Sequence, residues 1–122
     1  MGSEMCIRDR IFSSTFMPTA TPEELEWFNE FQRATTSPEN AVRFLSAFGD
    51  IDVRHQLSKL SVPTLGLHSR GDQRIPVETG LELATTIPNA EFSGLASDNH
   101  LLLGREPASD DFVAAIRRFL SA

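Results

Sequence analysis

Cysteine is almost absent: Cys6 is the only one in 122 residues. One thiol makes no internal disulfide, and without a second cysteine at ligand spacing a disulfide scaffold and a Cys-type zinc site are both excluded. This usage fits a reducing, cytoplasmic setting. Lysine is as scarce, with Lys59 the one lysine among 11 basic residues, against 17 acidic ones and a formal charge of -6. No basic stripe is available to follow a phosphate backbone, which disfavours nucleic-acid binding by this segment. Long apolar runs are missing too: nothing approaches the roughly 18 to 20 residues of a membrane span, and the N-terminus lacks the apolar stretch of a secretory signal. What is there, 40% apolar and 23% charged residues, is the composition of an ordinary small globular domain.

Residues 1–10, MGSEMCIRDR, carry neither helical nor alternating periodicity. The string MCIRDR resembles translated sequencing-adapter read-through, so 1–10 is read as a non-native leader and the true protein is expected to begin further upstream. The signals sharpen at Thr21-Pro22-Glu23-Glu24, which combines an N-cap threonine, a proline at the first helical position and a capping-box glutamate. Leu25, Phe28, Phe31 and Gln32 share one side of the helix that follows, with Trp27 beside them. Ser37-Pro38-Glu39 caps a second helix reaching about Phe48, with Ala41, Val42, Leu45 and Phe48 as its apolar stripe and Gly49 releasing the chain. A short third turn runs from Asp52 through Leu57.

Residues 62–68, VPTLGLH, read as a strand buried on both faces. SRGDQRIP is a loop, Val77 to Ile87 a helix, and Ala90 to Leu95 a second strand. A last helix, capped by Ser109 or Asp110, carries Phe112, Val113, Ile116, Phe119 and Leu120 at helical spacing. A strand, a crossing helix and a strand make a parallel βαβ unit. Two parallel strands for so many helices leave an apolar sheet edge unpaired, which points to the C-terminal portion of a larger α/β domain. On its own such a chain is expected to be marginal, oligomeric or aggregation-prone.

Ligands and reacting groups of open parallel sheets collect beyond the carboxyl ends of the strands. Asp72 follows the first strand there and His100 the second. A carboxylate bonded to one imidazole nitrogen orients the ring and stabilises the imidazolium formed when the other nitrogen takes a proton. Val62-Pro63-Thr64-Leu65-Gly66-Leu67-His68-Ser69-Arg70-Gly71-Asp72 resembles the acid strand of the α/β-hydrolase superfamily, and Asn99-His100 its histidine loop. Ile75-Pro76 after the acid and Ile87-Pro88-Asn89-Ala90 before the last strand add to a resemblance that covers about residues 40–122. It implies the C-terminal part of an α/β-hydrolase fold: two parallel strands with about four to five helices. Residues 11–58 would be cap and connecting helices, with Trp27, Phe28 and Phe31 in a cap, and 59–122 the βαβα part of the core. Asp72 would be the triad acid and His100 the general base, with no metal or organic cofactor.

The departure from the pattern is equally definite: no Gly-x-Ser-x-Gly elbow and no His-Gly-Gly oxyanion motif occurs in the chain. In this family the nucleophile precedes the acid, so it is expected upstream, and the segment alone is expected to be inactive. The parent would hydrolyse an ester or amide of a small-molecule substrate. An aspartate nucleophile, as in dehalogenase-like or epoxide-hydrolase-like relatives, is one alternative. Another is a ligand-sensing domain, since the acid and histidine segments also resemble hydrolase-like domains joined to LuxR-type or adenylate-cyclase-type bacterial signalling proteins, with the regulatory domain upstream. A third is a non-catalytic interaction module. Of the remaining polar residues, His68 is expected to line the interior near the acid loop and His55 to face solvent. Asp98, Arg70 and Arg74 are expected to be solvated loop residues, Arg70 and Arg74 with the option of pairing with Asp72 or meeting an anionic substrate.

Overall fold

A computed structural model describes residues 11–122. The leader reading of 1–10, Cys6 included, lies outside the described residues. A short helical segment at 11–16, which the sequence pattern did not reveal, leads to α1 (Pro22–Thr35) and α2 (Pro38–Gly49). A 3-10 helix (Arg54–Lys59) then precedes β1 (Thr64–Ser69), α3 (Val77–Thr86), β2 (Ala90–Leu95) and α4 (Pro107–Ser121). This is two parallel strands flanked by several helices, the arrangement of a C-terminal α/β-hydrolase-like fold.

Local chemistry accounts for the boundaries. The Thr21 hydroxyl accepts from the Glu24 amide while the Glu24 carboxylate accepts from the Thr21 amide, so the capping box forms in full. Ser37 caps α2 through the Asn40 amide. Asp52 accepts from the Arg54 amide and pairs with its guanidinium, steadying the entry to the 3-10 turn. Strand β1 begins at Thr64 instead of Val62, because Pro63 has no N–H to give and pairing opens with the Thr64 amide on the Asn89 carbonyl.

The last helix needs a correction. It starts at Pro107, not after Ser109 or Asp110. Proline is suited to the first helical position, where its missing N–H costs nothing. The Ser109 hydroxyl, instead of capping, donates to the Leu103 carbonyl at 2.5 Å.

The two strands pair in parallel register from Thr64 opposite Ala90 to Ser69 opposite Leu95. Helix α3 packs on one face, where Gly80 sits against His68 and Phe92. Leu95, Leu103, Ala108 and Ala115 make the best-buried apolar cluster toward α4, whose two alanines, seven apart, let the helix approach the sheet. By contrast α2 buries no residue, and Val42, Phe44, Leu45 and Phe48 each remain more than half exposed. A contiguous apolar surface of this kind drives association. The chain is therefore expected to self-associate with rising concentration in light scattering. Val42→Ser with Phe48→Ser should move it toward monomer without lowering the melting midpoint. A wild-type monomer at all concentrations would contradict this.

Candidate active site

The candidate site is built from the two loops that leave β1 and β2 at the same end of the sheet. The ladder continues past the strands, with the Arg70 amide on the Leu95 carbonyl at 2.9 Å and the Gly71 amide on the Ser97 carbonyl at 3.0 Å. The loops approach so closely at Gly71 that a Cβ there would lie 1.9 Å from Asp98 Oδ1 and 3.3 Å from the Asp98 Cα. An alanine there would have to push the exposed Asp98 carboxylate aside.

Asp72 and His100, 28 positions apart, meet with His100 Nδ1 2.7 Å from Asp72 Oδ2. The other carboxylate oxygen accepts from the Arg74 and Ile75 amides at 2.8 and 2.9 Å, so both oxygens are used. The Asp72 side chain is 3% exposed and that of His100 29%. Burial pushes the Asp72 carboxyl up, but the hydrogen bonds from Ile75, His100 and Arg74, with the charge of His100, outweigh it and hold the group below its ordinary value. An ionised Asp72 accepts only, so Nδ1 of His100 carries the shared proton and Nε2 is left as the acceptor. Nε2 has no hydrogen-bond partner among the described residues. A small cavity of about 100 Å³ lies beside the pair, with Leu102 and Phe112 in its wall.

Asn99 sets the position of the histidine. It is 1% exposed. Its amide nitrogen donates to Thr19 Oγ1 at 2.7 Å and Glu106 Oε2 at 2.9 Å, and its Oδ1 accepts from the Thr19 amide at 3.2 Å. Its carbonyl accepts from the Ser69 hydroxyl at 2.6 Å, which ties the histidine loop to the end of β1. Burial raises the Glu106 carboxyl, yet hydrogen bonds from Ser97, Leu103 and Asn99 and the charge of Arg105 bring it below its ordinary value. From the far end of the chain, the Phe16 carbonyl accepts from the amides of His100 and Leu101 at 2.7 and 3.2 Å, and its ring meets the imidazole edge-on at 5.4 Å. The Arg74 guanidinium lies 5.0 Å from the ring centres of both Phe12 and Phe16.

Other residues singled out from the sequence fall as follows. His68 is 14% exposed, with Nε2 2.8 Å from the Ile75 carbonyl and 3.4 Å from Asp72 Oδ2. His55 is exposed, and Asp98, Arg70 and Arg74 are exposed loop residues. Neither arginine reaches Asp72 with its guanidinium; only the Arg74 backbone does. Trp27 and Phe31 stack on each other at 5.5 Å and stay largely exposed, while Phe28 turns toward Phe16. Thr19, Ser69 and Glu106 were missed as parts of the site. Glu106 before a helix-opening proline carries a weak signal, but a contact across 80 positions from Thr19 to Asn99 carries none.

No protein-family model matches the chain. Similarity to known proteins is found instead with a non-heme chloroperoxidase, CPO-A1, of Kitasatospora aureofaciens, 40% identical over 51% of this chain and 23% of the relative. The putative carbamate hydrolase RutD of Serratia proteamaculans is 36% identical over 52% of this chain and 24% of its own length. The AB hydrolase superfamily protein YisY of Bacillus subtilis is 31% identical over 70% of this chain and 31% of its length. These relatives support an α/β-hydrolase-superfamily domain. The chain matches about a quarter to a third of their length. Among the described residues no helix is long and apolar enough to cross a membrane.

Two outcomes are expected. Because the Asp72 and Glu106 carboxyls sit lower in the folded chain than their ordinary values, they contribute stability that is present above those values and is lost as pH falls through the folded ones. Glu106→Gln should lower the urea midpoint at neutral pH and flatten its decline below about pH 4.5, the ordinary glutamate value. An unchanged slope would refute the assignment. Gly71→Ala should destabilise by about 1 to 3 kcal/mol through overpacking, and Asp98→Ala in the same chain should recover much of that in a double-mutant cycle.

Proposed function

We propose that the chain is the acid-and-histidine portion of a serine-type α/β hydrolase that cleaves an ester or amide bond of a small-molecule substrate, with Asp72 the acid and His100 the general base. The observation that carries the reading is the 2.7 Å bond between His100 Nδ1 and the buried Asp72 carboxylate, with the opposite nitrogen free to take a proton. In the first step Nε2 of His100 removes the proton of an attacking hydroxyl, and the imidazolium is stabilised by ionised Asp72. The same Nε2–H then passes its proton to the leaving group. In the second step His100 takes a proton from water as the water oxygen bonds to the acyl carbon, and Nε2–H then returns that proton to the nucleophile's oxygen as the acyl–oxygen bond breaks. Asp72 keeps the ring in the required tautomer throughout and is not itself protonated.

The nucleophile is a serine on a Gly-x-Ser-x-Gly elbow, which these 122 residues do not contain. It is supplied from sequence preceding this segment, together with the oxyanion donors. Ester chemistry is further supported by the names of similar proteins, among them a pimeloyl-[acyl-carrier protein] methyl ester esterase of Vibrio parahaemolyticus, 28% identical over 71% of this chain. A pocket that only senses a ligand has no use for an aligned proton acceptor, which favours catalysis over the sensing reading.

The test begins with the in-frame coding sequence upstream of Ile11. The encoded protein should carry the elbow, label with a fluorophosphonate at its serine and hydrolyse short p-nitrophenyl esters. His100→Ala and Asp72→Asn should each lower kcat/KM by about 10³-fold or more. Turnover that survives both substitutions would refute the assignment. Esterase-type turnover without fluorophosphonate labelling would point to an aspartate nucleophile.

A further inference from the structure

We propose that His68 is a positioning residue that holds the acid loop in the conformation from which Asp72 meets His100. Its effect on turnover rests on the roles proposed above for Asp72 and His100, whereas its effect on their geometry does not.

His68 stands at the end of β1, four positions before Asp72, with a side chain 14% exposed. The ring is seated against buried Gly80 of α3, where a Cβ would come within 2.7 Å of Nδ1. From that seat Nε2 reaches the Ile75 carbonyl at 2.8 Å. A carbonyl only accepts, so Nε2 carries the proton. The amide of the same Ile75 donates to Asp72 Oδ1 at 2.9 Å. A single residue of the loop therefore links imidazole to carboxylate: His68 fixes Ile75, and Ile75 fixes one oxygen of Asp72. The other oxygen, Oδ2, is 3.4 Å from His68 Nε2 and 2.7 Å from His100 Nδ1, so both imidazoles are near it and only His100 is at hydrogen-bond distance. His68 Nε2 is committed to the Ile75 carbonyl, leaving His100 as the ring that Oδ2 bonds.

A purely space-filling role would be met by any ring of similar volume. A positioning role requires an N–H at the place of Nε2. His68→Gln keeps such a donor, and His68→Phe keeps the ring without one. The first readout is the His100 Nδ1–H proton in the NMR spectrum of the longer protein that carries the nucleophile, a signal that persists only while that proton is held by Asp72. It should be retained in His68→Gln and lost in His68→Phe. The second readout is turnover in the longer protein carrying the nucleophile. His68→Phe should lower kcat about 10- to 100-fold with KM nearly unchanged, the cost of a small misalignment, and His68→Gln should restore most of it.

If His68→Phe does not fold, Gly80→Ala serves in its place, because the added Cβ displaces the His68 ring while leaving the acid loop's sequence intact. It too should erase the Nδ1–H signal. A signal and kcat that persist in His68→Phe, or a signal that persists in Gly80→Ala, overturn the proposal. Failure of the hydrolase reading is told apart by His100→Ala and Asp72→Asn: if those leave turnover intact while the His68 variants still change the NMR signal, the positioning stands and the catalytic roles fall.

Discussion

The parallel ladder between β1 and β2 is the constraint on which the candidate site depends. Parallel strands in register end at the same level, so Ser69 and Leu95 deliver their loops side by side. Two further backbone bonds, from Arg70 to Leu95 and from Gly71 to Ser97, carry the pairing into the loops themselves. Residues 28 apart in sequence thereby come within 2.7 Å. A register shift of one residue would turn every side chain to the other face and break that meeting.

Around the ladder, buried polar groups are used as connectors and all are satisfied: among the described residues no buried side-chain nitrogen or oxygen lacks a partner. Asn99 joins the end of β1, the start of α4 and the segment near Thr19, three parts of the chain that apolar packing alone would position loosely. Leaving any of those groups unpaired in a buried place would carry its full desolvation penalty, so the network specifies one arrangement. The same logic holds at Asp72, whose carboxylate is desolvated yet remains ionised because both of its oxygens accept hydrogen bonds.

Apolar burial is distributed very differently. The well-buried apolar residues lie mostly around β2, the following loop and α4, whereas α2 presents its stripe to solvent and Trp27 is 64% exposed. The chain corresponds to about a quarter to a third of the length of the relatives it resembles.

The local rules read well from sequence. Thr21, Ser37 and the prolines after them marked two helix starts, and the alternation of strand, helix and strand marked the βαβ unit, because capping and periodicity depend only on near neighbours. Asp72 and His100 were legible as candidates because each lies in the loop that follows a strand, and the loops after parallel strands must lie at one end of a sheet. The start of α4 was misread because Ser109 and Asp110 are good caps on paper, while the carbonyl of Leu103, 6 residues earlier, claims the serine. The helical segment at 11–16, the Phe16 carbonyl under His100, the Asn99 connections and the place of His68 between Ile75 and Asp72 left no local trace. The sequence by itself determined which residues could carry proton transfer and on which elements they sit. Only the tertiary structure decided that the Phe16 carbonyl and Thr19 hold the histidine loop, because contacts across spans such as the 80 positions from Thr19 to Asn99 leave no trace in the residue pattern.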